Sequence, residues 1–473
     1  MDLLEPMPRV EKQNAFFRLR QIGSTLKIHQ GTLGADDDAV TTRRYKDRRL
    51  ARKAYEEQLT EWIEAGYRLV DAEDCPFALT LAACDLGDFL QPLLEAPYDA
   101  EALAVYGDWL QGQGDPRGEL TALQLARHQQ PENAEALRAE EVAFIDAHAE
   151  ALLGRAAPYR WRRFTLDWHG GFIRRATLGV TPGDVAFRRD FAVPELLAVF
   201  LQLPATRLLE SLRVGVFEGA GNDNYRPLIR ALATAPQPSL LRQLELGYPH
   251  LDYDYSESGW KARGELRWLS GLPGLKQLSV RLGQASIGAP LELPRLEELT
   301  LLVRGHTLQG LCSSADLPRL ERLTLVLRPR GRGRRLDTDA LAPLSLQRFG
   351  SLTKLAVRNL EDQQVGGLFT DGGLEQLEIL DLSYGYLQRA GELTGWAPVL
   401  RKIPRVMLSG NLLTQGTGRL ASLIPGVELG QQRPSGTTPE TSLRGMSPSP
   451  PFYPSDDWYS FPLLPTSPLF SSI

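Results

Sequence analysis

The sequence predicts an α/β solenoid, a stack of short repeated units, preceded by two smaller domains and followed by a disordered tail. A six-residue phrase built on alternating leucines returns eight times between about residues 209 and 429. Before it lie a short α+β segment and an acidic helical segment, and after it the last 43 residues hold nine proline and nine serine residues. The predicted domains are therefore 12–71, 72–163, 164–430 and 431–473.

The repeated phrase has the form Leu-x-x-Leu-x-Leu, with isoleucine or valine at some of the leucine positions. Its copies begin 21 to 34 residues apart, and this pattern resembles the leucine-rich repeat. A unit of this length cannot bury its own apolar face, so each phrase is predicted to form a strand that directs its leucines into a core shared with its neighbours. The copies start at Leu209, Leu241, Leu275, Leu296, Leu320, Leu352, Leu377 and Ile403.

The residues between the leucines are predicted to lie on the opposite, concave face, because side chains alternate along a strand. Acidic and basic residues are mixed there, which favours a protein partner over nucleic acid. The candidate protein-binding residues are Arg213, Gln243, Glu245, Gln277, Glu298, Arg322, Lys354, Asp381 and Arg405. The other outward positions are Ser211, Ser279, Thr300, Thr324, Ala356, Ile379 and Met407.

Two parts of the array do not follow the repeated phrase, namely its first strands and one arginine-rich insertion. Residues 164–168 and 172–178 are strand-like and are predicted to be the atypical first strands of the solenoid. An arginine-rich stretch follows the fifth phrase and is interpreted as a solvated loop insertion, with binding of phosphate or an acidic partner as the open alternative. Its arginines are Arg328, Arg330, Arg332, Arg334 and Arg335.

The first segment combines strand-like pieces with one helix, predicted over 47–65. Its predicted strands are 15–19, 25–28 and 40–42. Strands, a glycine turn and a closing helix in this order resemble the WGR domain, known from poly(ADP-ribose) polymerases and from bacterial proteins. Gln30 and Thr32 stand where that family has the tryptophan and arginine of its Trp-Gly-Arg-x-Gly turn. The resemblance implies a small α+β domain with a nucleic-acid role.

The second segment contains a specific motif, Tyr-Gly-Asp-Trp-Leu at 106–110 followed by Gly-Asp-Pro-Arg-Gly-Glu at 114–119. It resembles the bacterial repeat-companion domain, whose hallmark is Tyr-Ala-Asp-Trp-Leu followed by Gly-Asp-Pro-Arg-Gly-Glu. Trp-His-Gly-Gly-Phe at 168–172 also fits that family. The resemblance implies a helical domain that precedes leucine-rich repeats in a bacterial protein.

The motif at 106–110 and 114–119, which we call the companion motif, is interpreted as structural. Tyr106 and Trp109 are predicted to anchor the end of one helix, Gly114 to cap it, and Asp115 to start the next helix with proline in its first turn. Arg117 is predicted to pair with a nearby carboxylate. An acid pair for catalysis is the weaker alternative, because neither a nucleophile nor a cluster of metal ligands accompanies the motif.

Composition narrows the class of protein. A net charge of -5 and 42% hydrophobic residues are ordinary for a globular chain. The three cysteines, Cys75, Cys84 and Cys312, predict neither a disulfide framework nor a metal site. The first residues lack the pattern of a signal peptide, and the longest apolar stretch, 191–205, is shorter than the roughly 20 residues of a membrane span. A cytoplasmic location away from the membrane is predicted.

Motifs of known catalytic sites are missing from the sequence. It contains no phosphate-binding Gly-x-x-x-x-Gly-Lys-Ser/Thr loop, no His-Glu-x-x-His, no Gly-x-Ser-x-Gly and no Cys-x-x-Cys. Its six histidines lie far apart in the chain. The predicted protein is therefore a scaffold that binds an unidentified protein, without enzymatic activity, cofactor or metal.

Association with DNA or RNA is the alternative function. Seven positive charges lie within eleven residues of the first segment, enough to attract phosphate backbones. They are expected to support only weak, salt-sensitive binding, since the chain as a whole is negative. These residues are Arg43, Arg44, Lys46, Arg48, Arg49, Arg52 and Lys53, to which the arginine-rich loop adds its five arginines. The tail also carries aromatic residues that are unusual for a spacer, so a docking motif there is a further open role.

Overall fold

The computed structural model describes residues 9–12, 15–22, 24–32, 39–65, 68–70, 87–159, 164–179, 193–215, 225–234, 240–247, 263–287, 290–328, 340–342, 344–369, 373–413 and 415–432. Several residues for which the sequence analysis makes predictions lie outside the described residues. They are Cys75, Cys84, Arg330, Arg332, Arg334, Arg335 and those of the tail from residue 433 onward.

The first segment forms an antiparallel sheet of five strands, in the order β4-β3-β2-β1-β5. The strands are β1 (Arg9–Lys12), β2 (Ala15–Ile22), β3 (Thr25–Thr32), β4 (Ala39–Arg44) and β5 (Arg68–Val70). Helix α1 (Arg48–Glu64) begins after Asp47, whose side chain accepts a hydrogen bond from the backbone amide of Leu50 at 2.9 Å. The predicted strands and helix are confirmed, and β1 and β5 are additional strands.

The second segment is helical, as predicted. Its helices are α2 (Gly87–Glu95), α3 (Ala100–Gly112), α4 (Pro116–Gln129), α5 (Ala134–Ala147) and α6 (Ala149–Leu153). Two of these helices have an aspartate as the N-cap residue. The side chain of Asp99 accepts a hydrogen bond from the backbone amide of Ala102 at 2.8 Å, and that of Asp115 accepts one from the backbone amide of Arg117 at 3.0 Å. Both carboxylates therefore satisfy amides that a helix leaves unpaired at its beginning.

The rest of the described chain is built on one sheet of eleven strands. In chain order the strands from residue 164 onward are β6 (Phe164–His169), β7 (Phe172–Leu178), β8 (Ser211–Val214), β9 (Gln243–Gly247), β10 (Arg263–Glu265), β11 (Gln277–Arg281), β12 (Gln284–Ser286), β13 (Leu291–Glu292), β14 (Glu298–Val303), β15 (Ala315–Asp316), β16 (Arg322–Leu327), β17 (Lys354–Arg358), β18 (Ile379–Asp381), β19 (Arg405–Met407) and β20 (Val427–Glu428). The large sheet has the order β20-β19-β18-β17-β16-β14-β11-β9-β8-β7-β6, and β10 with β12 and β13 with β15 form two short pairs beside it.

The strands of the large sheet follow one another in chain order, and all are parallel from β7 to β20. β6 and β7 form an antiparallel hairpin at one end. The two strands predicted at 164–168 and 172–178 are thus present.

Each of the eight repeated phrases lies on one parallel strand, which begins at the third residue of the phrase. The fourth residue of every phrase points into the core and stands in register with its neighbours. This ladder is Leu212, Leu244, Leu278, Leu299, Leu323, Leu355, Leu380 and Val406. Each of these side chains is at most 2% exposed, and burial of one such side chain contributes about 1.5–3 kcal/mol.

The segments between the strands contain helices of uneven length. These are α7 (Val193–Gln202), α8 (Arg226–Thr234), α9 (Gly305–Ser314), α10 (Ala390–Thr394), α11 (Ala397–Leu400) and α12 (Thr417–Leu423). Tight 3₁₀ turns take their place elsewhere, at Pro204–Thr206, Leu266–Gly271, Leu346–Arg348, Asp362–Phe369 and Leu374–Gln376. The mixture of strands and helices makes this part of the chain an α/β fold.

Buried asparagine side chains complete the backbone hydrogen bonds where strands end. Asn411 is fully buried and donates to the carbonyls of Leu382 and Leu408, at 2.8 and 2.9 Å. Asn359 donates to the carbonyl of Leu327 at 3.0 Å and has a φ of 60°. Asparagine is among the few residues with a side chain that tolerate this left-handed conformation.

Candidate functional site

The face of the large sheet opposite the leucine ladder is the candidate site, and we name it the outward face. The strand register divides it into rows that cross the sheet. The first row contains Ser211, Gln243, Gln277, Glu298, Arg322, Lys354, Ile379 and Arg405. Each of these side chains is half-buried or exposed. Apart from Ile379, the first row is thus a polar, accessible line across eight strands, as the alternation predicts.

The second row lies two residues further along each strand. It contains Thr177, Arg213, Glu245, Ser279, Thr300, Thr324, Ala356, Asp381, Met407 and Glu428. Arg213 and Glu245 are half-buried, whereas Thr324, Ala356 and Asp381 are buried. The outward face is therefore less accessible in its second row than the sequence predicts.

Several predicted binding residues pair with one another across neighbouring strands. Nη2 of Arg213 lies 2.9 Å from Oε1 of Glu245. Arg322 forms a close ion pair with Glu298 in the first row. Because an acid faces a base in each pair, the first two rows of the outward face present mixed polarity and little net charge.

Another pair joins Arg405 to Glu428 on the last strand. Nε of Arg405 lies 2.5 Å from one carboxylate oxygen, and Nη2 lies 3.0 Å from the other. The hydrogen bond from Arg405 lowers the pKa of the Glu428 carboxyl below its ordinary value, and the arginine charge adds to the effect. Both side chains are about half exposed, so solvent screens this pair.

Asp381 does not belong to the accessible part of the face, so its prediction as an exposed binding residue is wrong. It is 3% exposed and is held by Arg358 on the neighbouring strand, with nitrogen–oxygen distances of 2.6 and 2.9 Å. The backbone amide of Ser383 donates a third bond at 3.0 Å. Burial acts to raise the pKa of Asp381, but the hydrogen bonds and charge of Arg358, with Ser383, outweigh it and hold the pKa below its ordinary value.

A third row contains residues that the repeat phrase does not predict. β14 and β16 continue for six residues, beyond the last leucine of the phrase. Their extra length places Leu302 and Val326 side by side on the outward face, where they are 0% and 8% exposed. The signal in the sequence was the unbroken apolar run at the ends of these strands, which indicates burial on both faces.

The basic residues of the first segment are accessible where the structure describes them. Arg43 and Arg44 lie on the exposed strand β4, and Arg49 and Lys53 lie on exposed positions of α1. Lys46 is exposed on the turn between them. The remaining members, Arg48 and Arg52, belong to α1, but their side chains lie outside the described part.

Neighbouring groups partly engage this basic cluster. Arg43 donates to the side-chain oxygen of Gln58 at 3.3 Å, and Lys53 lies 3.4 Å from Glu57. Arg328, the described member of the arginine-rich loop, is half-buried, and burial lowers its pKa.

The companion motif forms a joint between the helical segment and the β6–β7 hairpin. Nη2 of Arg117 lies 2.5 Å from Oδ2 of Asp115, and both side chains are at most 4% exposed. The Arg117 guanidinium also lies over the ring of Phe172, 5.6 Å from its centre. The predicted pairing of Arg117 with a carboxylate is confirmed, and it packs directly against the hairpin.

The hairpin turn approaches the motif closely. Gly171 has a φ of 73°, and a Cβ atom there would lie 2.5 Å from the carbonyl oxygen of Arg117. The amide of Gly171 donates to the side chain of Gln124 on α4 at 3.0 Å. Only glycine therefore fits this contact without displacing the backbone.

Arg174 extends the same joint from β7 and was not anticipated from the sequence. It is 1% exposed, donates to the carbonyl of Pro97 and lies 3.6 Å from Glu210. Tyr98 donates to the same glutamate at 2.8 Å. Burial, followed by the charge and hydrogen bond of Glu210, raises the pKa of Tyr98 to about 12.

One anchor of the motif differs from its prediction. Tyr106 is fully buried, but Trp109 is half-buried at the edge of the helical core. The tyrosine is the deeper anchor because α3 turns it toward Phe172, whose ring lies 5.5 Å away. Asp108 and Glu119 are exposed, so the motif holds no buried carboxylate besides Asp115.

Among the described residues, no three His, Cys, Asp or Glu side chains are placed to hold a metal ion. None of the described helices combines the length and the apolar composition that a bilayer crossing requires.

Comparison with known proteins gives distant likenesses. No family model matches the chain, and no curated protein matches it. Among solved structures, a protein from Bacteroides fragilis is 16% identical in an alignment that covers 91% of this chain and 97% of that one, with a TM-score of 0.44. An internalin C2 from Listeria monocytogenes is 13% identical over 52% of this chain and 85% of that one, with a TM-score of 0.22. These likenesses are too distant to assign a function.

Proposed function

We propose that residues 164–430 form a leucine-rich-repeat solenoid whose outward face binds another protein, so that the chain is a scaffold and not an enzyme. The observation that carries this proposal is the first row, where seven polar side chains and Ile379 stand in register on eight parallel strands, on the face opposite the buried leucine ladder. With strands about 4.8 Å apart, the row extends over about 34 Å.

The chemistry of the first row fits a protein partner of mixed charge. Gln243 and Gln277 donate and accept hydrogen bonds, while Arg322 and Lys354 supply positive charge next to Glu298. A nucleic acid is attracted by unopposed positive charge, whereas Arg322 pairs with Glu298 and Arg405 pairs with Glu428. Partners of folded proteins usually bury about 800 Å² on each side, and a row of this length with its flanking side chains offers a surface of that order.

We also propose that residues 12–71 are a WGR-like domain and residues 72–163 a repeat-companion domain. The five-stranded sheet with its single helix supports the first assignment. The packing of the Gly-Asp-Pro-Arg-Gly-Glu motif against the β6–β7 hairpin supports the second. In this arrangement the companion domain covers the first strands of the array, which otherwise expose an unpaired apolar end.

The test is a charge reversal on the first row with a matched control. A partner captured by the purified chain from a lysate of its host is identified and produced separately, and its affinity is measured by calorimetry. Arg322→Glu combined with Lys354→Glu is expected to weaken binding about tenfold or more, since reversed charges oppose the partner. Arg401→Glu with Arg419→Glu carries the same charge change at exposed positions away from the strands.

The control pair is expected to leave the affinity unchanged. Equal affinity for the wild-type chain and the first-row variant, with thermal melts that show both to be folded, would place the binding surface elsewhere.

Association with nucleic acid is a second candidate, favoured by the exposed Arg43, Arg44, Lys46, Arg49 and Lys53. These residues continue from the edge strand β4 into the first turns of α1, so they form one basic surface. We expect weak binding that salt removes. Fluorescence anisotropy with a DNA duplex at low salt and at about 150 mM salt tests this, and tight binding at the higher salt that Arg43→Glu with Arg44→Glu abolishes would favour this function over the scaffold.

A further inference from the structure

The five-stranded sheet of the first segment ends in an open edge. β4 is the outermost strand on one side, and among the described strands only β3 pairs with it. All six side chains of β4 are exposed. Its register with β3 runs unbroken from Ala39 to Arg44 and contains no proline. Proteins usually close such an edge with a proline, a bulge or a covering element, because its unpaired backbone groups can pair with another strand.

The hydrogen bonds of this sheet show which backbone groups face the open edge. The amide of Tyr45 donates to the carbonyl of Ser24 at 2.8 Å, so these residues continue the ladder as a hydrogen-bonded pair. Hydrogen-bonded and non-hydrogen-bonded pairs alternate along an antiparallel ladder. Every second residue of β4, counted back from Tyr45, therefore bonds to β3, and the residues between them direct their N–H and C=O groups away from it. The residues that face the open edge are Val40, Thr42 and Arg44.

The side chains of these three residues lie on the face of the sheet opposite α1. Leu26, the cross-strand partner of Arg43, is buried, and Arg43 donates to Gln58 of α1 at 3.3 Å. Arg43 thus lies on the helix side, and its neighbours in β4 lie on the other side. That other face carries an apolar side chain at one end, Val40, which is 53% exposed, and a positive side chain at the other end, Arg44.

Positive charge is concentrated at the carboxyl end of β4. Arg43, Arg44 and Lys46 are exposed, and Asp47 is the only acidic residue of 39–53. The Asp47 side chain is engaged at the start of α1, where it accepts a hydrogen bond from a backbone amide at 2.9 Å. A strand that pairs with β4 is therefore stabilised by acidic side chains at this end.

We propose that the open edge of β4 binds an extended acidic segment of a partner protein, which adds a sixth, antiparallel strand to the sheet. Antiparallel pairing places the first residues of the segment beside Arg44 and the last beside Ala39. The preferred segment therefore begins with acidic residues and has a β-branched apolar residue opposite Val40. Nucleic acid is attracted by the charges alone, whereas a peptide also pairs with the open backbone groups. This site is separate from the large sheet, so the proposal goes beyond the scaffold function and holds whether or not the first row binds a protein.

Fluorescence anisotropy of a labelled peptide with the purified full chain tests the strand addition. The probe is Glu-Glu-Glu-Thr-Thr-Val-Thr, whose second residue is designed to stand opposite Arg44 and whose sixth is designed to stand opposite Val40. The N–H groups of its second, fourth and sixth residues then donate to β4. N-methylation of the fourth residue removes one of these bonds and is expected to weaken binding about tenfold or more. N-methylation of the fifth residue, whose N–H points away from β4, is the matched control and should leave the affinity unchanged.

Variants of the chain test the same pairing from the side of the protein. Thr42→Pro removes an N–H that faces the open edge and is expected to weaken binding about tenfold, while β4 keeps its hydrogen bonds to β3. Arg43→Glu with Arg44→Glu should weaken binding of the acidic probe and permit binding of Lys-Lys-Lys-Thr-Thr-Val-Thr. Arg401→Glu with Arg419→Glu, at exposed positions outside the first segment, is the charge control and should change neither affinity. If Thr42→Pro melts below the wild-type chain, the two N-methylated peptides decide, because they leave the protein unaltered.

Other outcomes overturn the proposal. Absence of binding by the acidic probe, or equal effects of the two N-methylations, would show that the peptide does not pair with β4. A DNA duplex that displaces the probe at about 150 mM salt and binds more tightly would assign this surface to nucleic acid. Dimers of the full chain in analytical ultracentrifugation that Thr42→Pro dissociates would assign the edge to a second copy of the chain.

Discussion

The joint between the helical segment and the first hairpin differs from the outward face of the large sheet in how it uses charge. At the joint, Arg117 and Asp115 are almost completely buried, and the pair fixes the beginning of α4 against the ring of Phe172. On the outward face, Arg405 and Glu428 form a pair of similar geometry that is about half exposed. Removing one member of a buried pair leaves a charge without solvent or partner, whereas water replaces the partner of an exposed charge.

The largest expected effect comes from breaking the buried pair of the joint. Arg117→Ala leaves Asp115 buried without its partner and is expected to lower the free energy of unfolding by about 3–5 kcal/mol. Urea denaturation followed by circular dichroism measures this change. Arg138→Ala, at an exposed position of α5, is the control and should change stability by less than about 0.5 kcal/mol. A loss of less than about 1 kcal/mol for Arg117→Ala would mean that the joint does not depend on its buried charge.

A smaller effect is expected from adding one methyl group at the hairpin turn. Gly171→Ala requires a side chain at a φ of 73° and places its Cβ 2.5 Å from the Arg117 carbonyl oxygen. We expect a loss of about 1–3 kcal/mol, measured in the same denaturation experiment. Gly112→Ala is the matched control, because no atom lies within 4 Å of a Cβ there. Equal stability of the two variants would show that the hairpin turn moves freely relative to α4.

The pair of Asp381 and Arg358 sharpens the comparison, since it lies on the outward face but is buried. The pKa of Asp381 lies below its ordinary value of 3.8, so its contribution to stability is present above pH 3.8 and is lost as the pH falls through the folded pKa. Asp381→Asn should therefore be less stable than the wild-type chain at pH 7, and the difference should shrink in acid. Thermal melts between pH 7 and about pH 2 measure it. A difference that does not change with pH would contradict the role of this ionised carboxylate.

The smallest effect is expected for the exposed pair. Glu428→Gln removes the charge that faces Arg405, and the melting temperature is expected to change by less than about 2 °C, because solvent screens both groups. Differential scanning calorimetry at low and high salt measures the change. A loss of stability for Glu428→Gln as large as the loss expected for Arg117→Ala would show that exposure does not distinguish the two regions.

The three-dimensional structure corrected the candidate site more than it corrected the fold. The repeated phrase predicted eight strands and the inward position of Leu212, Leu244 and the other ladder residues, since alternation along a strand depends only on local geometry. It also placed Arg213 and Glu245 on one face, although their pairing across two strands becomes visible only once the register is known.

Accessibility on the outward face was decided by the tertiary structure. Alternation gave Asp381 its outward direction, but its burial depends on Arg358, a residue of the neighbouring strand that follows the end of its own phrase. Leu302 and Val326 likewise come together only because β14 and β16 extend beyond the phrase and pair in register. The sequence by itself determined which residues form strands and which side chains enter the core, because both follow from short-range periodicity. Only the tertiary structure decided which outward side chains stay accessible, because that depends on residues that are distant in the chain and adjacent in the sheet.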